Sequence, residues 1–183
     1  MASEIFNIYR LVEAFWLVIP IYAANGLVPL IKGKRPLDFG RKFFDRRPLL
    51  GPGKTIEGFA AGCLIGAIIA VVEQIALPYL PWSWSAVPLE IVPMSVGLGL
   101  LLGFGAMLGD SAGSFIKRRL KMKRGQAAPL LDQLDFLLGA LAVSSFFIAL
   151  RLEWVVILVI LTPIIHLFAN IIGYFLKVKK EPW

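Results

Sequence analysis

The sequence predicts an all-α, polytopic membrane protein with five transmembrane helices and two long basic loops on one side of the bilayer. Three observations carry that prediction. Hydrophobic residues make up 58% of the 183 positions and mean hydropathy is +0.77, well above the roughly 45–50% apolar content of a soluble domain. Apolar runs recur at lengths near the roughly 20 residues that a helix needs to cross a hydrocarbon core of about 30 Å. Charged residues, 17% of the chain, cluster in short segments between those runs.

Taken in order, the runs cover 5–31, 56–80, 89–109, 136–150 and 154–176. The first resembles a signal peptide in position only. Basic charge follows it instead of preceding it, and four more runs come later, so it reads as a retained span. The fourth is short and is expected to borrow residues 130–135 for its first turn or to extend into Arg151 and Leu152. Runs of this length and apolarity read as helices and not as barrel strands, because a bilayer leaves no backbone group unsatisfied. No internal repeat is visible, and residues 1–183 read as a single membrane-embedded domain.

Orientation follows from the cations. Eight lie between the first two runs, six between the third and fourth, and three after the fifth, leaving only Arg10 and Arg151 on the other side. With five spans the three basic regions share one face, which the positive-inside rule makes the cytoplasm, with the N-terminus outside. The opposite loop, 78–88, is uncharged and carries Trp82 and Trp84 as interfacial anchors.

One cysteine, Cys63, excludes a disulfide framework, and one histidine, His166, excludes a histidine cluster. The chemistry must come from elsewhere. The first basic loop ends Gly51-Pro52-Gly53-Lys54-Thr55-Ile56-Glu57. Two glycines let backbone approach an anion, Lys54 adds a point charge, and Thr55 stands where a helix N-terminus favours phosphate. A Walker A loop would require glycine at position 48, which is proline. The alternative is a basic loop that only faces lipid headgroups.

At the end of the third run, Asp110, Ser114 and Lys117 fall at i, i+4 and i+7 on one helical face. Asp110 is expected near the membrane boundary, where an unpaired carboxylate is costly. Asp132 and Asp135, three apart, share a face at the entry to the fourth run. Singly, each reads as a helix cap or dipole partner. Together, Asp110, Asp132 and Asp135 make an all-oxygen set suited to Mg²⁺ completed by water and substrate phosphates, against capping plus local salt bridges. Three carboxylates beside many cations suit a nucleoside triphosphate, and a site in the membrane implies that the second substrate is a lipid. No nucleic-acid partner is expected.

These residues resemble the signature of the CTP-dependent lipid cytidylyltransferases, the CDP-diacylglycerol synthase superfamily. Gly109-Asp110, Ser114-Phe115-Ile116-Lys117-Arg118 and Asp132-Gln133-Leu134-Asp135 follow the family's order and similar spacing, and Pro52-Gly53-Lys54-Thr55-Ile56-Glu57-Gly58 matches its second element. The family's usual His-Gly-Gly before the aspartate pair is replaced by Ala128-Pro129-Leu130, and Gln133 stands where arginine is usual. The short five-span form, Asp-Gln-x-Asp and the terminal Pro182-Trp183 resemble the archaeal branch. The resemblance implies CMP transfer from CTP to an unsaturated archaeal diether glycerol phosphate, giving CDP-archaeol and pyrophosphate. It assigns Asp110, Asp132 and Asp135 to Mg²⁺, Lys54, Lys117 and Arg118 to phosphates, and Ser114 and Thr55 to hydroxyl contacts. Glu57 either orients Lys54 or binds the nucleotide.

Asn25, His166 and Asn170 are polar groups inside apolar runs, which makes them either substrate contacts or inter-helix hydrogen bonds. Arg10 and Glu13 read as a local ion pair, and Glu73 as facing a neighbouring helix or snorkelling. Three rivals remain at this level: a phosphatidate cytidylyltransferase using diacyl lipid, a small ion-coupled transporter, and a lipid-binding scaffold. A transporter should show internal repeats and polar groups near midplane, and a scaffold leaves the aspartates unexplained.

Overall fold

A computed structural model describes the backbone of residues 7–81 and 85–175, with the side chains at 169, 170, 172 and 173 left out. Trp82, Trp84, the C-terminal lysines, Pro182, Trp183 and the side chain of Asn170 therefore lie outside the described residues. Five helices follow in chain order: α1 (Ile8–Leu27), α2 (Ile56–Ala76), α3 (Val96–Arg119), α4 (Leu131–Ser144) and α5 (Leu152–Phe175). No strand is present among the described residues. By length and composition, three segments can cross a membrane: α1 and α2, each with a following 3₁₀ turn, and α3.

Local chemistry sets the ends. Asn7, Thr55 and Ser95 cap α1, α2 and α3, each side-chain oxygen accepting a backbone N–H of the first turn. Pro29 and Pro78 sit in the 3₁₀ turns that close α1 and α2. At the start of α4, Leu130 takes φ 66° and the Gln133 side chain accepts its N–H at 3.3 Å. Both α1 and α5 continue through Pro20 and Pro163.

Two boundaries differ from expectation. The third apolar run spans 89–109, whereas α3 covers Val96–Arg119: it starts later, and Asp110, Ser114 and Lys117 lie within it as their helical spacing implies. Hydropathy stops at the first carboxylate, but the helix continues because Asp110 and Lys117 find partners across a polar cavity. The fourth helix covers Leu131–Ser144 and not 136–150. It does borrow its first turn from 130–135, and it ends in a turn that leaves Phe146 and Phe147 exposed.

Packing around α3 depends on glycine. A Cβ on Gly66 would stand 2.5 Å from the Gly99 carbonyl, and one on Gly109 would stand 2.0 Å from the Asp135 carbonyl. Backbone therefore meets backbone on both sides of α3, as small residues allow in membrane bundles. The apolar core draws on all five helices, with Leu17, Ile21, Ala70, Leu102, Phe136, Leu137 and Ile157 fully or almost fully buried.

Candidate active site

The first basic loop is folded, not slack. Asp38, 5% exposed, accepts the Gly40, Leu50 and Gly51 amides, each at 2.9 Å. Burial alone would raise its carboxyl, but those backbone donors outweigh it and hold it below the ordinary carboxylate range. The far end of the loop clasps α3. The Arg119 guanidinium lies 4.8 Å from both the Phe43 and Phe115 ring centroids, pairs with Asp45 at 3.3 Å and donates to the Pro48 carbonyl at 2.6 Å. Arg47 in turn donates to the Arg119 carbonyl at 3.2 Å, satisfying the C-terminal end of α3.

Fixed at both places, the loop delivers Gly53, Lys54 and Thr55 to the bundle. The Lys54 ammonium hydrogen-bonds Asp110 of α3. Lys117, two turns further along α3, reaches Asp132 of α4 at 2.6 Å, and the second Asp132 oxygen accepts the Ala128 N–H at 3.0 Å. These two ion pairs line one cavity of about 700 Å³, together with Asn25, Gly53, Thr55, Ser111 and His166. Asp132 and His166 also line a second, more apolar cavity of about 560 Å³ beside Pro129, Pro163 and Leu167.

Most residues singled out from the sequence thus meet in one place: Lys54, Asp110, Lys117, Asp132, Gly53, Thr55, Asn25 and His166. Others do not line the cavity. Asp135 is half-buried against Gly113, where a Cβ would stand 1.9 Å from its Oδ2, within electrostatic reach of Asp110, Asp132 and Lys54. Buried Ser114 and half-buried Arg118 also stand off the lining, Arg118 donating to the Lys123 carbonyl at 3.3 Å. Gly51 has φ 94° and serves Asp38 through its amide. Glu57 is not in the cavity lining and pairs with Arg35, side chain to side chain at 2.9 Å. Thr55 accepts the Gly58 N–H at 3.1 Å as the cap of α2.

Sequence reasoning missed Gly33, Lys32 and Arg124 in the lining. A Cβ on Gly33 would stand 2.1 Å from the Thr55 hydroxyl, a close approach that no local motif signals. Among the described residues, no three His, Cys, Asp or Glu side chains stand close enough to hold a metal ion by themselves. Asp110 and Asp132 nevertheless fit a hard divalent cation. They are carboxylates from two packed helices, both facing the cavity, and Mg²⁺ ordinarily takes one or two protein carboxylates, the rest being water and substrate phosphate.

Carboxylates and ammonium groups gathered at one end of an apolar helical bundle define a membrane-embedded enzyme of the phosphate-handling, nucleotidyl-transferring class. The family model that matches residues 5–183 is the CarS-like one, CDP-archaeol synthase, and the chain belongs to that family. It is 43% identical over 173 residues to a CDP-archaeol synthase of Methanopyrus kandleri, covering 93% of this chain and 92% of that one. A Pyrococcus horikoshii CDP-archaeol synthase is 41% identical over 174 residues, covering 95% and 98%. A solved structure described as an intramembrane enzyme for archaeal membrane lipids biosynthesis superposes with TM-score 0.73 at 39% identity, covering 87% of this chain and 94% of that one.

Proposed function

We propose that the protein transfers CMP from CTP to an archaeal lipid phosphate, 2,3-bis-O-geranylgeranyl-sn-glycerol 1-phosphate, giving CDP-archaeol and pyrophosphate. The observation that carries this reading is the meeting of Lys54–Asp110 and Lys117–Asp132 in one cavity, in a chain about 40% identical to enzymes of that name. Mg²⁺, held by Asp110 and Asp132, would supply charge neutralisation to the triphosphate, with Asp135 adding negative charge from behind the wall. Lys54 and Lys117, at the cavity wall, would hold phosphate oxygens of the substrates. A lipid phosphate oxygen, already ionised near neutral pH, forms the new bond to the α-phosphorus. The α-phosphorus bond to the bridging oxygen breaks, and its electron pair leaves with pyrophosphate. No strong general base is required, so positioning and electrostatics do the catalysis. The apolar cavity that shares Asp132 and His166 suits the lipid side of the reaction, and the cation-rich loops favour a cytoplasmic orientation for the site under the positive-inside rule.

The test follows pyrophosphate release by purified protein with CTP and Mg²⁺, using the diether phosphate and a diacyl phosphatidic acid in parallel. Release with the diether alone is the expected result. Release with the diacyl lipid alone would keep the chemistry but replace the substrate, and release with neither, from folded protein, would remove the catalytic reading.

A further inference from the structure

The cations of the cavity fall into two kinds. Lys54 and Lys117 are mostly buried, with side chains 24% and 16% exposed, and each carries a carboxylate partner. Lys32 and Arg124 line the same cavity from the two basic loops, are exposed, and have no acidic partner among the described residues. Arg124 also borders the Gly53 turn, its Nε standing 4.0 Å from where a Gly53 Cβ would be. The inner cations are thus neutralised, while the outer ones leave their charge and hydrogen bonds uncommitted where solvent enters.

Resting on the CMP transfer proposed above, we infer that Arg124, assisted by Lys32, is the binding site for the β- and γ-phosphates of the nucleotide and for the pyrophosphate that leaves. The apolar cavity around Pro129, Pro163 and Leu167 shares Asp132 and His166 with the polar one and suits the lipid phosphate. The polar cavity reaches the two basic loops, where Lys32 and Arg124 lie exposed, and pyrophosphate departs there. A guanidinium meets two phosphate oxygens at once, and its charge stays at every working pH, so it holds the negative charge that grows as the bridging bond breaks. Its exposure also suits release, because a screened contact at the mouth holds pyrophosphate less tightly than a buried one would.

The experiment measures pyrophosphate binding by calorimetry, in Mg²⁺, to the full chain in detergent, alongside KM for CTP and inhibition by CMP. Arg124→Ala should weaken pyrophosphate binding and raise KM for CTP by about 10- to 100-fold, the range for a lost charge-assisted hydrogen bond. CMP, which lacks those phosphates, should inhibit it as it does the unsubstituted protein. Arg124→Lys should fall between, since it restores the charge without the fork. Lys123→Ala, an exposed neighbour off the cavity, should change nothing. Unchanged pyrophosphate binding in Arg124→Ala, or an equal loss for CMP, would overturn the assignment. Failure of the unsubstituted protein to turn over either lipid would defeat the proposed reaction instead, and the pyrophosphate titration would still decide the site.

Discussion

Both ends of the bundle carry carboxylate–cation pairs, Arg with Glu at one and Lys with Asp at the other, and the two are used in opposite ways. At the end away from the basic loops, Glu13 is 1% exposed and accepts Arg10 at 2.7 Å, the Trp154 indole at 2.8 Å and the Glu90 amide at 2.8 Å. Glu90 itself takes Arg151. That cluster ties α1, the segment before α3 and α5 together, and both oxygens of its central carboxylate are occupied. At the loop end, Asp110 and Asp132 are 26% and 32% exposed, and each holds one lysine at the wall of a cavity. A saturated, buried carboxylate is a staple. A carboxylate with an exchangeable lysine partner and access to solvent can take up a ligand. Access to solvent separates the two roles: Glu13 is 1% exposed, whereas Asp110 and Asp132 open onto the cavity.

The sharpest way to test that contrast is at Asp110. Asp110→Asn keeps shape and removes the charge, so turnover should fall by at least about 1,000-fold, the scale of several kcal/mol of lost charge stabilisation. The melting temperature in detergent should barely move. Retained turnover in a CTP assay would take Asp110 out of the metal site. Glu13→Ala should do the reverse. Breaking a buried pair strands its partners and costs about 3–5 kcal/mol, seen as a lower melting temperature, while the folded fraction keeps its KM for CTP. A shifted KM at an unchanged melting temperature would erase the distinction between the ends. Arg119→Ala should have the smallest effect, because it loosens the loop without touching substrate. Losing one cation–π and ion-pair clasp, about 1–2 kcal/mol, should raise KM for CTP several-fold and hasten proteolysis within 42–48. A kcat loss with unchanged KM would mean that the clasp acts on something other than Lys54.

The helices, their number and the basic face were legible because membrane insertion writes them into hydropathy and charge. Asp110, Lys117 and Asp132 were legible because a charge retained at the edge of an apolar run needs a reason. Their partners were less so. Nothing local says that Lys54, 56 positions earlier in the chain, meets Asp110, or that Arg35 reaches Glu57. Asp38 escaped notice because an aspartate in a basic loop reads as solvated, although it organises that loop. The start of α3 was misplaced because hydropathy does not distinguish the largely apolar, non-helical segment 89–95 from the helix that follows it. Asp135 shared a helical face with Asp132 on paper, but close packing against Gly113 turned it away from the cavity.

The shortness of α4 bears on how the protein is made. Its 14 residues rise about 21 Å, less than the hydrocarbon thickness, and its first two turns carry Asp132 and Asp135. A segment so short and so charged gains too little from lipid to leave the translocon alone. The glycine seam on α3 gives it a surface to enter against, with Gly105 and Gly109 admitting its backbone and Gly113 the Asp135 side chain before any lipid is met. Biogenesis would then pass through a helical hairpin, α3 waiting beside the channel until α4 emerges and both move into the bilayer as one unit.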